Sequence, residues 1–190
     1  IRVVMDMVYN HMMSTVNMDN IVPGYYFRSD YLGRYTNGSG CGNELASERP
    51  MVRKFIIDSC LHWIKDYKID GIRFDLMELL DIDTTKEIVK KTTKLDKNFL
   101  IYGEPWKGGS SPLVNGTYKG SQKNENFSIF NDTFRDAIRG NNHPSSGFIN
   151  GNQYSSICNW SIIEGLKGSI YTITSNPNES INYVDAHDNY

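Results

Sequence analysis

The sequence predicts an α/β fold in which parallel strands alternate with helices, of the kind that closes into a (β/α)8 barrel. Three observations carry this. Short apolar runs of strand length alternate along the chain with stretches of helical period. Four of the five strand-like runs end in polar, titratable groups, an asymmetry expected at the C-terminal mouth of a barrel, where catalytic groups sit. Neither GxGxxG nor a phosphate loop is present, which removes the support for a nucleotide-binding sheet.

Residues 2–9 form the first strand, Val3-Val4-Met5-Asp6-Met7-Val8, apolar on both faces as in a buried parallel strand, and lead into Asn10-His11. Residues 12–46 read as a long loop, marked by Pro23-Gly24, Asn37-Gly38-Ser39-Gly40 and Gly42-Asn43. Loops of this length are usually functional. Tyr25, Tyr26, Phe27, Tyr31 and Tyr35 concentrate there, as sugar-stacking rings or, for most of them, as a small core on which the loop packs. Residues 47–68 have helical period through Val52, Ile56, Cys60, Trp63 and Tyr67, with Ser47 placed as N-cap and Pro50 tolerated in the first turn. His62, inside this helix and far from a strand mouth, reads as structural. A strand over about 69–76 follows, then a helix over 84–95 and a strand over 99–104. A second loop spans 108–126, with a short strand at 127–130 and helices at 132–140 and 157–167. His143 falls in an exposed loop, and a last strand, 180–184, runs into Asp185-Ala186-His187-Asp188.

Composition bounds the function. The chain has 190 residues and a formal net charge of −2, which offers no electrostatic case for nucleic acid. No apolar run is long enough to span a membrane. Three widely spaced cysteines, Cys41, Cys60 and Cys158, lack any CxxC or Cys/His ligand spacing, so a zinc site is not expected. They leave the compartment open between cytoplasm and exterior, and Cys60 falls in an apolar helical pattern as a core residue. Both ends look cut, and the chain reads as an internal piece of a longer protein whose N- and C-terminal parts lie outside it.

The chemistry gathers at Gly71-Ile72-Arg73-Phe74-Asp75-Leu76-Met77. Ile72 and Phe74 alternate with Arg73 and Asp75, so an apolar pair and a charged pair take opposite faces of the strand. Arg73 can hold Asp75 ionised, and an oriented carboxylate at a strand end is a candidate nucleophile. A purely structural Arg–Asp pair reads equally well from this heptad alone.

Four segments carry a resemblance. Asp6-Met7-Val8-Tyr9-Asn10-His11, Gly71-Ile72-Arg73-Phe74-Asp75, Gly103-Glu104-Pro105-Trp106 and Val184-Asp185-Ala186-His187-Asp188 resemble, in order, the four sequence regions of the α-amylase superfamily, glycoside hydrolase family 13. Val22-Pro23-Gly24-Tyr25-Tyr26-Phe27-Arg28, Ala46-Ser47-Glu48-Arg49, Arg73-Phe74-Asp75-Leu76-Met77, and Phe130-Asn131-Asp132 with Arg135-Asp136-Ala137-Ile138 are similar to type I pullulanases within it. Pro105 departs from the glycine of many pullulanases, which touches subsite detail rather than Glu104.

The resemblance implies a partial (β/α)8 TIM barrel, about the third to the seventh strand of eight, with an extended loop after the third. It implies a retaining hydrolase of α-glucans, most specifically of α-1,6 linkages in pullulan and branched glucans, working through a covalent glycosyl-enzyme. Another specificity of the superfamily, such as α-1,4 hydrolysis, and a non-catalytic glucan-binding homologue are the alternatives. In this scheme Asp75 is the nucleophile, Glu104 the general acid and base, and Asp188 the stabiliser of the transition state. His11, Arg73, Trp106 and His187 serve the substrate, and Asp6 and Asn10 support the site. The chemistry asks for one ionised and one protonated carboxyl group flanking the glycosidic bond.

The implied partner is an α-glucan polysaccharide or oligosaccharide, with no nucleic acid and no membrane, and the oligomeric state stays open. No cofactor is required. Calcium (Ca2+) has a place in the resemblance at Asn10, with Asp19 and Asp30 as candidate acidic ligands. A metal-dependent hydrolase built on His11, His187 and Asp188 lacks the expected HxH pair or bridging lysine. The 190 residues alone, an unclosed barrel, are not expected to be a competent enzyme.

Overall fold

The computed structural model describes residues 1–141 and 145–187. The chain forms two compact units, Ile1–Ser121 and Gln122–Tyr190. In the first, β1 (Val4–Met7), β2 (Gly71–Phe74) and β3 (Leu100–Gly103) pair in parallel. The register sets Asp6 opposite Arg73 and Arg73 opposite Tyr102, so one charged and polar row crosses all three strands. Ile72 and Phe74, on the other face, are fully buried. This is the alternation read in the sequence, and it turns Arg73 and Asp75 to the same side.

The helix after the long loop, α2 (Pro50–Tyr67), begins later than expected. Arg49 is its N-cap and makes no side-chain cap bond, and Pro50 opens the helix. Ser47 is not the cap. It is buried, and its hydroxyl accepts from the Asp81 backbone N–H at 2.8 Å and from Arg28 Nη2 at 3.1 Å. Tertiary donors have taken the oxygen that would otherwise serve the helix end. Val52, Ile56, Ile57, Cys60 and Ile64 form the buried stripe of α2, while Phe55 and Tyr67 are exposed. The next helix, α3 (Ile82–Leu95), is capped by Asp81, which accepts from the Thr84 N–H at 3.1 Å. Ile88 and Val89 are buried, and Leu95 is exposed.

The long loop is ordered by its own bonds. It contains a short helix, α1 (Val16–Asp19), and isolated antiparallel bridges Phe27–Leu45 and Ser29–Tyr35. Phe27 and Leu45 are fully buried and the Phe27 and Tyr35 rings meet edge-on at 5.6 Å, so these residues supply the small core expected of the loop. Tyr31 stands exposed outside it.

In the second unit β4 (Ser128–Phe130) pairs in parallel with β5 (Ser180–Ile181). The helix α4 (Asp132–Arg139) is capped by Asn131, which accepts from the Phe134 N–H at 3.1 Å, and α5 (Ser156–Leu166) by Ser155. The last strand stops at Ile181, short of the expected 184. Side chains take over there: Asn182 Nδ2 donates to the Gly165 carbonyl at 2.7 Å, and Arg135 Nη1 donates to the Tyr183 hydroxyl at 2.7 Å. Among the described residues the fold is mixed α/β with parallel strand pairs, as in part of an α/β barrel. No helix among them is long and apolar enough to cross a membrane. His143 lies outside the described residues.

Candidate active site

Arg73 is the centre of the site. It is buried on β2, and a guanidinium without partners there would be costly. Carboxylates from three chain segments meet it. Nη1 donates to Asp6 Oδ1 at 2.8 Å and to Asp75 Oδ1 at 3.1 Å, and Nη2 donates to Glu104 Oε1 at 2.5 Å. Burial works against the charge on Arg73, but Glu104, Asp6 and Asp75 outweigh it and raise the guanidinium above its usual pKa. The expectation that Arg73 pairs with Asp75 therefore holds, and Arg73 pairs with Glu104 as well.

Asp75 leaves the end of β2 with its N–H donating to the Met7 carbonyl at 3.1 Å. Its other oxygen, Oδ2, accepts from Asn10 Nδ2 at 2.8 Å, and the same amide donates to the Asp75 carbonyl at 2.9 Å. Asn10 is fully buried. With its amide nitrogen facing Asp75, its oxygen faces His11 Nδ1 at 2.5 Å, so that ring nitrogen carries the proton and Nε2 is left as the second ring position.

Glu104, 5% exposed, is fixed from both sides. Oε2 accepts the Leu76 N–H at 3.0 Å, and the Glu104 N–H donates to the Phe74 carbonyl at 3.0 Å. Leu76 sits at φ 38° and ψ 54°, a left-handed conformation that costs a side-chain-bearing residue roughly 1–2 kcal/mol. That conformation turns the chain from β2 into the 3-10 turn Met77–Leu79 while aiming the Leu76 amide at Glu104. Gly103 is required by the same turn: a Cβ there would lie 2.6 Å from the Phe74 carbonyl and 2.7 Å from Met77 Sδ.

Trp106 is half-buried, two residues beyond Glu104. His187, in the second unit, is exposed, and Asp188 lies outside the described residues. The structure thus brings together Asp6, Asn10, His11, Arg73, Asp75 and Glu104. His62 is exposed on α2, with Nδ1 2.5 Å from Asp66 Oδ2 and its ring against Trp63 and Tyr67, away from this cluster in kind and in partners.

The donor sets around Asp19 and Asp30 do not fit calcium. Asp19 accepts from the Tyr35 hydroxyl at 2.6 Å and the Gly24 N–H, and Asp30 from Arg34 and the Leu32 N–H. Those bonds lower the pKa of both carboxyls, Asp19 chiefly through Tyr35 and Asp30 through the Arg34 amide. Among the described residues no group of three or more His, Cys, Asp or Glu is placed to hold a metal ion.

Two residues were not legible as functional in the sequence, Tyr102 beside the site and Glu44 in the long loop. Tyr102 shares the row of Asp6 and Arg73, and its phenol is raised, first by burial and then by Asp6, against the opposing effect of Arg73. Glu44, in the turn-rich loop, is completely buried. An aromatic at an alternate position before Glu104 could have pointed to Tyr102. An isolated acid among glycines offers no pattern at all.

The chain is 39% identical over its whole length to a pullulanase of Bacillus subtilis (strain 168) and spans 28% of that protein. The pullulanase from Bacillus acidopullulyticus superposes with a TM-score of 0.95 at 44% identity, covering 99% of this chain and 24% of that one. A pullulanase complexed with maltotetraose from Anoxybacillus sp. LM18-11 gives a TM-score of 0.92 at 41% identity, covering 100% of this chain and 28% of that one. No family model matches. Identity at this level along the whole chain, joined to a shared fold, makes this chain a homologue of the pullulanases, a pullulanase-like stretch of glycoside hydrolase family 13.

Proposed function

We propose that this chain carries the nucleophile and the acid/base of a retaining glycoside hydrolase that cleaves α-1,6 linkages in pullulan and related branched glucans. The observation that carries the reading is the convergence of Asp6, Asp75 and Glu104 on one buried guanidinium, in a chain homologous to pullulanases. The strands correspond, in this reading, to the third to seventh of a (β/α)8 barrel, and turnover belongs to a chain of the relatives' length.

Asp75 attacks the anomeric carbon while Glu104 gives its proton to the departing glycosidic oxygen. The product is a glycosyl ester on Asp75. Water then attacks the same carbon, Glu104 takes its proton, and the ester bond breaks with net retention. Arg73 and Asn10 hold the two oxygens of Asp75 so that the carboxylate is oriented before the sugar arrives. His11 and His187 hydrogen-bond the sugar in the cleaved subsite, Trp106 stacks on a glucose ring, and Asp188 stabilises the oxocarbenium-like transition state.

The test is hydrolysis of pullulan by the full-length protein, with maltotriose as the expected product and the anomer of the first product followed by NMR. Retention requires the two carboxyl groups to lie about 5–5.5 Å apart in the working site. Inversion would overturn the mechanism. Attack on linear α-1,4 glucan with pullulan left intact would overturn the linkage specificity.

A further inference from the structure

Glu44 is a buried carboxylate that the proposed chemistry does not use. It is fully buried in the long loop and accepts from two residues of that loop and from one 67 residues away. Arg28 Nη1 donates to Oε2 at 2.9 Å, the Gly38 N–H donates to Oε1 at 3.2 Å, and the Ser111 hydroxyl donates to Oε2 at 2.5 Å. Arg28 in turn donates through Nη2 to the Leu79 carbonyl at 3.0 Å, four residues beyond Asp75, and takes the Glu48 carboxylate through Nε and Nη2. Glu44 therefore joins the long loop to the segment that leaves Asp75 and to the segment that leaves Glu104.

Two further contacts run along the same seam. The Gly109 N–H donates to the Gly38 carbonyl at 2.8 Å, and a Cβ on Gly109 would lie 2.6 Å from the Asn37 carbonyl, so the two backbones touch with no room for a side chain. Lys107 Nζ lies 2.8 Å from Glu78 Oε1. The run from Glu104 to Ser111 is thus held at both of its far points by groups outside it.

We infer that Glu44 is a positioning residue: through Ser111 it fixes the 105–111 segment against the long loop and so shapes the site for the leaving-group side of the glucan. This rests on the glycosidase reading above, in which Glu104 hands its proton to the leaving oxygen. The segment running on from Glu104 then borders the sugars beyond the cleaved bond, while an activated aryl α-glycoside, with a small leaving group, makes little use of it. Glu44 acts at a distance, on KM for a polymer rather than on bond breaking.

The experiment uses the full-length protein with Ser111→Ala, Ser111→Thr and Glu44→Gln. Ser111 is half-buried, and its removal leaves the Arg28 and Gly38 bonds to Glu44 in place, so Ser111→Ala is the variant that retains the fold. KM for pullulan is expected to rise about tenfold in Ser111→Ala, the scale of one hydrogen bond to a charged group, with kcat on the aryl glycoside within about twofold of wild type. Ser111→Thr, which keeps the hydroxyl, is expected to restore the pullulan KM, and Glu44→Gln to reproduce or exceed the Ser111→Ala effect. An active wild type with an unchanged pullulan KM in Ser111→Ala would overturn the role of Glu44 alone. Equal losses on both substrates would also overturn it, since that is the mark of a general structural defect. A wild type that cleaves neither substrate would overturn the glycosidase reading and this inference with it.

Discussion

The amide nitrogen of Asn10 bonds Asp75 twice, to the side chain at 2.8 Å and to the main-chain carbonyl at 2.9 Å. The same side chain carries His11 on its oxygen. One buried amide therefore sets the rotamer of the proposed nucleophile and the tautomer of its neighbouring imidazole. Asn10→Ala is expected to lower kcat by up to about 10²-fold, since small misplacements of a reacting group have effects of that size. Stability should fall by about 1.5–3 kcal/mol for the lost bonds to a charged group. Steady-state kinetics and denaturant titration of the full-length variant check both.

Asp75→Asn and Glu104→Gln separate the two carboxyl roles. Asp75→Asn is nearly isosteric but cannot attack, so turnover should be almost abolished with glucan binding retained. Glu104→Gln should be severe on pullulan, yet partly recovered by azide or by a substrate with a good leaving group, because the acid's task can be bypassed. Rescue of Asp75→Asn and not of Glu104→Gln would exchange the two assignments.

Gly103→Ala tests the packing that places Glu104. Its new methyl would meet the Phe74 carbonyl at 2.6 Å and Met77 Sδ at 2.7 Å, one of them backbone and unable to step aside. Overpacking of this kind costs about 1–3 kcal/mol, and Tm should fall accordingly. Activity should fall further than the folded fraction, since Glu104 is the next residue along.

Thiol chemistry offers a check on the fold that is independent of catalysis. Burial pushes the Cys60 thiol up to about 12, so at pH 8 it stays protonated and unreactive, whereas Cys41 is exposed. Iodoacetamide should label Cys41 in the native protein and reach Cys60 only after denaturation. The sign is fixed: a raised thiol pKa means less thiolate at any pH below it. Mass spectrometry of the labelled peptides decides it.

Much of this was legible in the sequence for a physical reason. The two-residue period puts Arg73 and Asp75 on one face of β2, and the resemblance of the four segments to the family's sequence regions is what brought Asp6 and Glu104 beside them. The helical stripe of α2 followed from spacing alone, through Val52, Ile56 and Cys60. What escaped depends on partners distant in sequence. Ser47 looks like a helix cap until Arg28 and the Asp81 amide claim it, and Glu44 looks like a solvated loop acid until Arg28 and Ser111 close over it. The final strand ended early because Asn182 and Tyr183 found side-chain and carbonyl partners elsewhere in their unit.

The three acids on Arg73 also police the assembly of the sheet. Asp6 lies 67 residues away from it in sequence and Glu104 lies 31 away, so of the three acids only Asp75 is local and the full set of bonds needs β1, β2 and β3 in register. A slip of β3 by one residue would turn Glu104 to the opposite face and break its bond with the buried Arg73 Nη2. The groups proposed to break the glycosidic bond are thereby also the groups whose bonds are complete only in the native strand alignment.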